Sequence, residues 1–353
     1  MKNILMYTIG LLFLVGVGAS FQSALADTTI NPHATVHVDY GTTLENTRQS
    51  DGDFRRLRVG VDGTMTDLID YNLEVDASGG DLNLDNAWIK INLPVHLTMG
   101  KFKQPLGFAR SISADNLAFI ERPMVSDLLV DQLSGGKRLG IGANYMWSGF
   151  WVGTSLASNE NNFDENLISW NNRVAWSHTL AGMTFHVGGN YSTLLDTTTR
   201  TVNYVTEPEL RLGGVNIIDV DSTGVNDYSV YGLEGAFAYG PMWMSGEYYY
   251  ATDSNDNYNG HYIETGLFLT GETKEYSVSD AVWGHVTPNN SLNDGGFGAI
   301  EIVGRYSYAD VNRDEETIYT VGVNWYLTNN VKAQLNYAHS DIPSVGVRLA
   351  VNF

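Results

Sequence analysis

Charged residues in this chain recur inside segments that alternate apolar and polar side chains. In Phe54-Arg-Arg-Leu-Arg-Val-Gly-Val-Asp-Gly63, Leu57, Val59 and Val61 fall on one phase of a period of two, and Arg56 and Arg58 on the other. The same relation sets Lys90 opposite Ala87, Ile89 and Ile91, Arg138 opposite Leu139 and Ile141, and Arg173 opposite Val174 and Trp176. Arg305 and Glu301 stand opposite Ile300, Ile302 and Tyr306, Lys332 opposite Val331 and Ala333, and Arg348 opposite Val347 and Leu349. Acids follow the same rule: Glu74 and Asp76, then Glu234 opposite Leu233, Glu247 opposite Tyr248, and Glu264 opposite Ile263. A charge on a lipid-facing phase would cost about 2–4 kcal/mol at mid-membrane, whereas a watery lumen avoids that cost. The chemistry expected of these residues is therefore selection of solutes in a channel.

Other chemistries fail on spacing. The eight histidines show no His-x3-His pair on one helix and no zinc spacing. Ser177 and His178 are adjacent, and neighbours on a strand point to opposite faces, so they form no nucleophile–base dyad. Asp219-Val-Asp-Ser-Thr-Gly224 begins like a calcium loop but lacks the later glutamate, and reads as a solvated acidic loop. Asn159 to Asn166 and Asp253 to Asn257 read as acidic loop tips, with divalent cations bridging to lipopolysaccharide as the alternative. No catalytic residue, metal or cofactor is expected.

Charges on one phase need strands to carry them. Strands are expected near 34–41, 53–65, 69–78, 82–92, 95–101, 137–147, 150–157, 168–178, 182–192, 227–239, 241–252, 258–270, 295–310, 315–327, 330–340 and 344–353. That is about 16, an even number, as a closed single-chain antiparallel barrel requires. Connections at 93–94, 240–241 and 328–330 are very short, and those at 102–136, 193–226 and 271–294 are long. Periplasmic turns and external loops would give this contrast. A soluble sandwich also alternates, but a propeller would show a blade repeat, and there is none.

The two ends agree with a membrane barrel. Val345, Val347, Leu349, Val351 and Phe353 keep the apolar phase to the last residue, which lipid can cover. Lys2, the apolar run from Ile4 to Val17 and Ala24-Leu25-Ala26 form a basic region, an apolar region and a cleavage site. Residues 1–26 are thus expected to be a cleaved signal peptide and 27–353 a single barrel domain. Forty acidic against 20 basic residues exclude non-specific nucleic-acid binding as a main role. The absence of cysteine removes disulfide and thiolate chemistry. Twenty Tyr, eight Trp and 37 Gly suit aromatic girdles and turns.

Several blocks resemble the phosphate-selective porin O and P family. They are the arginine strand at 54–63, Met99-Gly-Lys-Phe-Lys-Gln-Pro-Leu-Gly107, Phe119-Ile-Glu-Arg-Pro123 and Lys137-Arg-Leu-Gly-Ile141. Leu269-Thr-Gly-Glu272, Gly296 to Glu301, Arg305-Tyr-Ser307, Tyr326 to Tyr337 and the final strand follow in order. The resemblance implies a sixteen-stranded homotrimeric channel with a constriction loop folded into the lumen. The terminal aromatic strand is similar to an outer-membrane assembly signal, so the barrel-assembly machinery joins outer-membrane lipid and lipopolysaccharide among the expected partners. Residues 102–136 suit the loop's role: Pro105, Gly107 and Pro123 stop a ladder. Phe102, Leu106, Phe108, Leu117, Phe119 and Ile120 need cover from the inner wall. Lys101, Lys103, Arg110, Asp115, Glu121 and Arg122 would then narrow the pore.

Over 101–136, Lys101, Lys103, Arg110 and Arg122 balance Asp115, Glu121, Asp127 and Asp131. A phosphate filter needs clustered Lys and Arg. The balance therefore favours a general or weakly selective channel for small hydrophilic solutes over an anion or phosphate channel. Inward bases on strands 1–8 and 13–16 and inward Glu234, Glu247 and Glu264 on strands 10–12 predict a transverse field between a basic and an acidic wall. The rival reading is a plugged structural or receptor barrel displaying 193–226 and 271–294. An enzyme is not expected.

Overall fold

The computed structural model describes residues 28–44, 49–131, 135–158, 168–195, 198–210, 215–312 and 314–353. The expected signal peptide and the acidic tip at 159–166 lie outside them. Sixteen antiparallel strands close into one barrel. The first nine are β1 (Asn31–Thr43), β2 (Ser50–Thr66), β3 (Ile69–Asp76), β4 (Asn83–Asn92), β5 (His96–Lys103), β6 (Lys137–Trp147), β7 (Phe150–Ser158), β8 (Ile168–Leu180) and β9 (Met183–Leu194). Then, after a two-stranded hairpin of β10 (Arg200–Thr206) and β11 (Ile218–Val225), come β12 (Tyr228–Tyr239), β13 (Met242–Asp253) and β14 (Asn257–Phe268). A smaller hairpin of β15 (Tyr276–Ser277) and β16 (Val282–Trp283) precedes β17 (Ala299–Val311), β18 (Asp314–Tyr326), β19 (Val331–His339) and β20 (Ser344–Asn352). Each expected strand is present, with ends moved by a few residues. The last strand closes on the first, from Thr35 opposite Asn352 to Thr43 opposite Ser344.

Alternation sorts the two faces. Leu57, Ile89, Ile141, Leu233, Ile302, Val321 and Leu349 are exposed on the outside, and Trp147, Phe150, Tyr239 and Phe353 are exposed near the end that carries the short turns. An apolar band with aromatic residues at its edge is the surface a lipid bilayer requires. Among the described residues no helix is long and apolar enough to cross a membrane.

Strand parity fixes which connections share an end. The short turns after β2, β4, β6, β8, β12 and β18 lie at the end where both β1 and β20 have their outer termini. The constriction loop and the 195–227 segment lie at the opposite end. The connection 269–298 joins an even barrel strand to an odd one, so it belongs to the turn end. The expectation that 271–294 is an external loop is corrected on this ground.

All three long connections contribute side chains to the barrel's packed core. Leu106, Ile120, Met124 and Val125 of the constriction loop pack with Val202, Tyr204, Leu210 and Ile218 of the 195–227 insert against wall residues Tyr228, Tyr249, Tyr262 and Ile318. On the turn side, Phe108, Leu117 and Phe119 pack with Val282, Trp283 and Val286 of the 269–298 insert and with Trp243, Phe268 and Tyr326 of the wall. Both segments bury part of their apolar content in the core, while Leu195, Val278 and Leu292 stay exposed. Asp219-Val-Asp-Ser-Thr-Gly224 lies in β11, where Asn203 donates to both Asp219 and Asp221.

Candidate functional site: the constriction

The loop after β5 is fastened to the wall by inward carboxylates and amides. Gly107, at φ 75°, opens the short helix Phe108–Ser111, and a Cβ there would come within 2.2 Å of the Tyr249 hydroxyl. The Glu247 carboxylate accepts the Phe108 and Ala109 N–H groups at 2.5 and 2.9 Å and the hydroxyls of Tyr249 and Tyr262 at 2.6 and 2.8 Å. Asn336 accepts from the Ile120 N–H at 2.8 Å, and Asn324 donates to the Ala118 carbonyl at 2.7 Å. Lys332 donates to the carbonyls of Asp115 and Leu117 at 2.9 and 2.8 Å. Glu209, from the 195–227 insert, accepts from Met124 N–H, Ser307, Thr320 and Arg305. Each bond replaces water lost when the loop covers the wall.

Inward direction and contact with water therefore differ. Arg173, Arg305, Lys332, Arg348, Glu234, Glu247, Glu264 and Glu301 all point inward, yet each is no more than 6% exposed. Arg173 pairs with Glu234 at 2.9 Å, Arg305 with Glu264 at 2.9 Å and Glu209 at 3.0 Å, and Glu301 accepts from Trp243, Asn324 and Tyr326. Arg348 spans the closing seam, pairing with Asp39 at 2.6 Å and Glu121 at 3.1 Å. Arg173, Arg305, Lys332, Arg348 and Glu247 bond the inserts directly. An acidic wall of Glu234, Glu247 and Glu264 facing the water is not present: the loop covers Glu247, and Glu234 and Glu264 are buried against Arg173 and Arg305.

A second set of charges lies along β2, β4, β5, β6 and the loop, where Arg56 and Glu121 are as buried as the residues above and the others are more open. A cavity of about 310 Å³ is lined by Arg55, Arg56, Arg58, Lys101, Lys103, Arg110, Arg122, Lys137 and Arg138, against Asp85, Glu121, Asp127 and Asp131. Of the expected loop residues, only Asp115 is elsewhere, 3.0 Å from His37. Glu74 and Asp76 stand behind the cavity, Glu74 against Lys137 and His33, and Asp76 against Arg58 at 2.7 Å. Lys90 lies nearer the turn end, paired with Asp70 at 3.0 Å.

Ion pairs consume part of the basic excess. Arg55 bonds Glu121 at 2.7 Å, Arg58 reaches Asp85 at 3.2 Å, Lys137 also pairs with Asp85, and Arg110 pairs with Asp127 and Asp131. Burial alone would raise the Glu121 carboxyl, but Arg55, Arg56 and Arg348 hold it well below the usual carboxylate range. Among the described residues, Arg56, Lys101, Lys103, Arg122 and Arg138 line the cavity without a carboxylate ion pair. Lys101 donates to the Leu84 carbonyl, Lys103 to those of Ser111 and Ile112, and Arg122 to those of Ala109 and Ile112.

Arg55, Asp85 and Lys137 were not expected here. In β2, His37 pairs with Arg56 but Val38 pairs with Phe54, so Arg55 is the extra residue of a β-bulge. Phe54 takes the outer face and Arg55 turns inward. Asp85 is the extra residue of a second bulge, between the pairs Glu74–Asn86 and Val75–Leu84. An arginine on the apolar phase, at Arg55, was a legible sign of the first bulge.

Comparison with known proteins agrees with this geometry. The family model for phosphate-selective porin O and P matches residues 27–345. Porin O of Pseudomonas aeruginosa is 24% identical over 336 residues, covering 80% of this chain and 75% of that protein. An uncharacterised protein of Caulobacter vibrioides is 25% identical over 316 residues, covering 82% of this chain, and the chain spans 62% of that relative's length. The solved structure of OprB from Pseudomonas putida at high pH superposes with a TM-score of 0.62 at 10% identity, covering 92% of this chain and 94% of that one. The chain belongs to the phosphate-selective porin O and P family.

Proposed function

We propose that the chain is an outer-membrane porin through which small hydrophilic solutes diffuse passively, and that its constriction weakly favours anions. The observation that carries this reading is the cavity lined by nine bases and four acids. In the cavity, residues 101–136 supply four bases and three acids, and most of the excess comes from Arg55, Arg56, Arg58, Lys137 and Arg138 on the wall against Asp85. Rings of Lys and Arg select anions by electrostatic attraction while mobile water keeps binding weak enough for release. Measuring the zero-current potential across a bilayer in a KCl gradient tests it: chloride should permeate faster than potassium, and a cation preference would refute it.

A dedicated phosphate channel is the second reading, favoured by Lys101, Lys103 and Lys137 meeting the arginines in one cavity. Block of the chloride current by micromolar phosphate would establish it in place of weak selectivity. Swelling of liposomes in sugars separates both readings from a plugged barrel. The full proposal includes removal of residues 1–26 as a signal peptide, insertion by the barrel-assembly machinery, contact with lipopolysaccharide, and a homotrimer.

A further inference from the structure

A second cavity, of about 380 Å³, lies next to the constriction, and Lys103 lines both. Its walls differ in kind from those of the constriction: Trp88, Phe102 and Trp151 stand beside Lys90, Lys103 and Arg173, with Asp280 the one carboxylate among the described residues of the lining. Two of the rings lie along the wall over glycines. A Cβ at Gly153 would come within 2.3 Å of the Trp151 ring, and one at Gly142 within 2.9 Å of the Phe102 ring. The Trp151 indole N–H donates to the Ser279 carbonyl of the turn-end insert at 2.9 Å, which fixes the ring's angle. Lys90 Nζ is 5.7 Å from the Trp88 ring centre, and the Arg173 guanidinium carbon is 5.4 Å from that of Trp151. Lys103 Nζ is held by two carbonyls at 3.2 and 3.0 Å, with no carboxylate ion pair among the described residues.

Aromatic faces offer stacking surface to any ring, and ammonium groups beside them offer a counter-charge. Chloride or inorganic phosphate can use only the second. We propose that this vestibule is a transient binding site for small anions that carry a ring, such as an arene carboxylate or a phosphorylated sugar. The ring rests on Trp88 or Trp151 while the anionic group faces Lys103. This rests on the channel reading above.

Current block in a bilayer containing the whole protein tests it, with paired probes of like charged group. Benzoate is compared with acetate, and glucose 6-phosphate with inorganic phosphate. The ring-bearing member of a pair should half-block the KCl current at a concentration at least about fivefold lower than its ringless partner. Preference for benzoate alone would assign the site to flat arenes, and preference in both pairs would extend it to sugar rings. Trp88→Leu and Trp151→Leu, made singly, should each cut that preference by about threefold or more. Trp88→Leu leaves the Ser279 bond untouched, so it reports the ring without disturbing the insert. Equal half-blocking concentrations within both pairs would overturn the proposal, as would an undiminished preference in both variants. A wild-type protein that passes no KCl current would instead refute the channel reading itself.

Discussion

Neutralising the unpaired bases of the constriction should lower anion preference by a calculable amount. Lys101→Gln and Arg138→Gln each remove one positive charge that no carboxylate offsets among the described residues. At about 6 Å in water a unit charge changes the energy of a passing monovalent ion by about 0.7 kcal/mol. At about 0.1 M salt, with a Debye length of about 10 Å, roughly half of that survives. The anion loses attraction and the cation loses repulsion, so the two terms add to about 0.8 kcal/mol, or roughly fourfold in the permeability ratio. The double variant should change the ratio by roughly fifteenfold if the sites act independently. At about 0.01 M salt the Debye length is about 30 Å, and each single change should grow to roughly sevenfold. The assay is the zero-current potential of single channels in KCl gradients at both ionic strengths. Ratios unchanged by both substitutions at low salt would refute the reasoning, and so would an effect that does not shrink as salt rises.

Glu209→Ala should leave Arg305, Ser307, Thr320 and the Met124 N–H short of an acceptor and destabilise the fold by about 3–5 kcal/mol. It would be read as a lower temperature at which the folded band disappears in gels, with Glu209→Gln milder. The arginines depress the Glu121 carboxyl, so its contribution is complete above its unfolded value of about 4.3 and is lost as pH falls through the lower folded value. Open-channel noise should therefore stay constant from about pH 7 to about pH 4 and rise only in stronger acid, and noise already present at about pH 5 would contradict this assignment. Replacing residues 273–287 of the turn-end insert by a short linker should raise the single-channel conductance, since Trp283 and Val286 pack beside the constriction loop in the barrel core. An unchanged conductance would place that insert off the conducting path.

Side-chain direction was readable because a membrane imposes a period of two on every strand, and a slip of one residue would move each charge into lipid. Coverage was not readable by the same rule. Glu247 and Glu264 point inward as alternation requires, but the first accepts the N–H groups of the loop's short helix and the second pairs with Arg305. Whether an inward carboxylate meets water depends on residues 41 positions away for Glu264 and 139 for Glu247, and periodicity carries no such information. The inward fold of 102–136 could be foreseen from its apolar content, since Leu106, Phe108 and Phe119 had no other place to go. Val282, Trp283 and Val286 mark 269–298 in the same way. Length misplaced that segment, because long connections are ordinarily external. Parity was the stronger constraint. In a closed barrel with an even number of strands, both chain ends lie together, and every connection from an even strand to an odd one shares their end. Residues 269–298 join the twelfth barrel strand to the thirteenth, so counting strands places the insert at the turn end whatever its length. An inward-folded segment at each end then meets in the middle, where Phe108 packs edge-on against Trp283 at 5.8 Å between ring centres, and the base-lined cavity lies to one side, between that loop and β2, β4, β5 and β6.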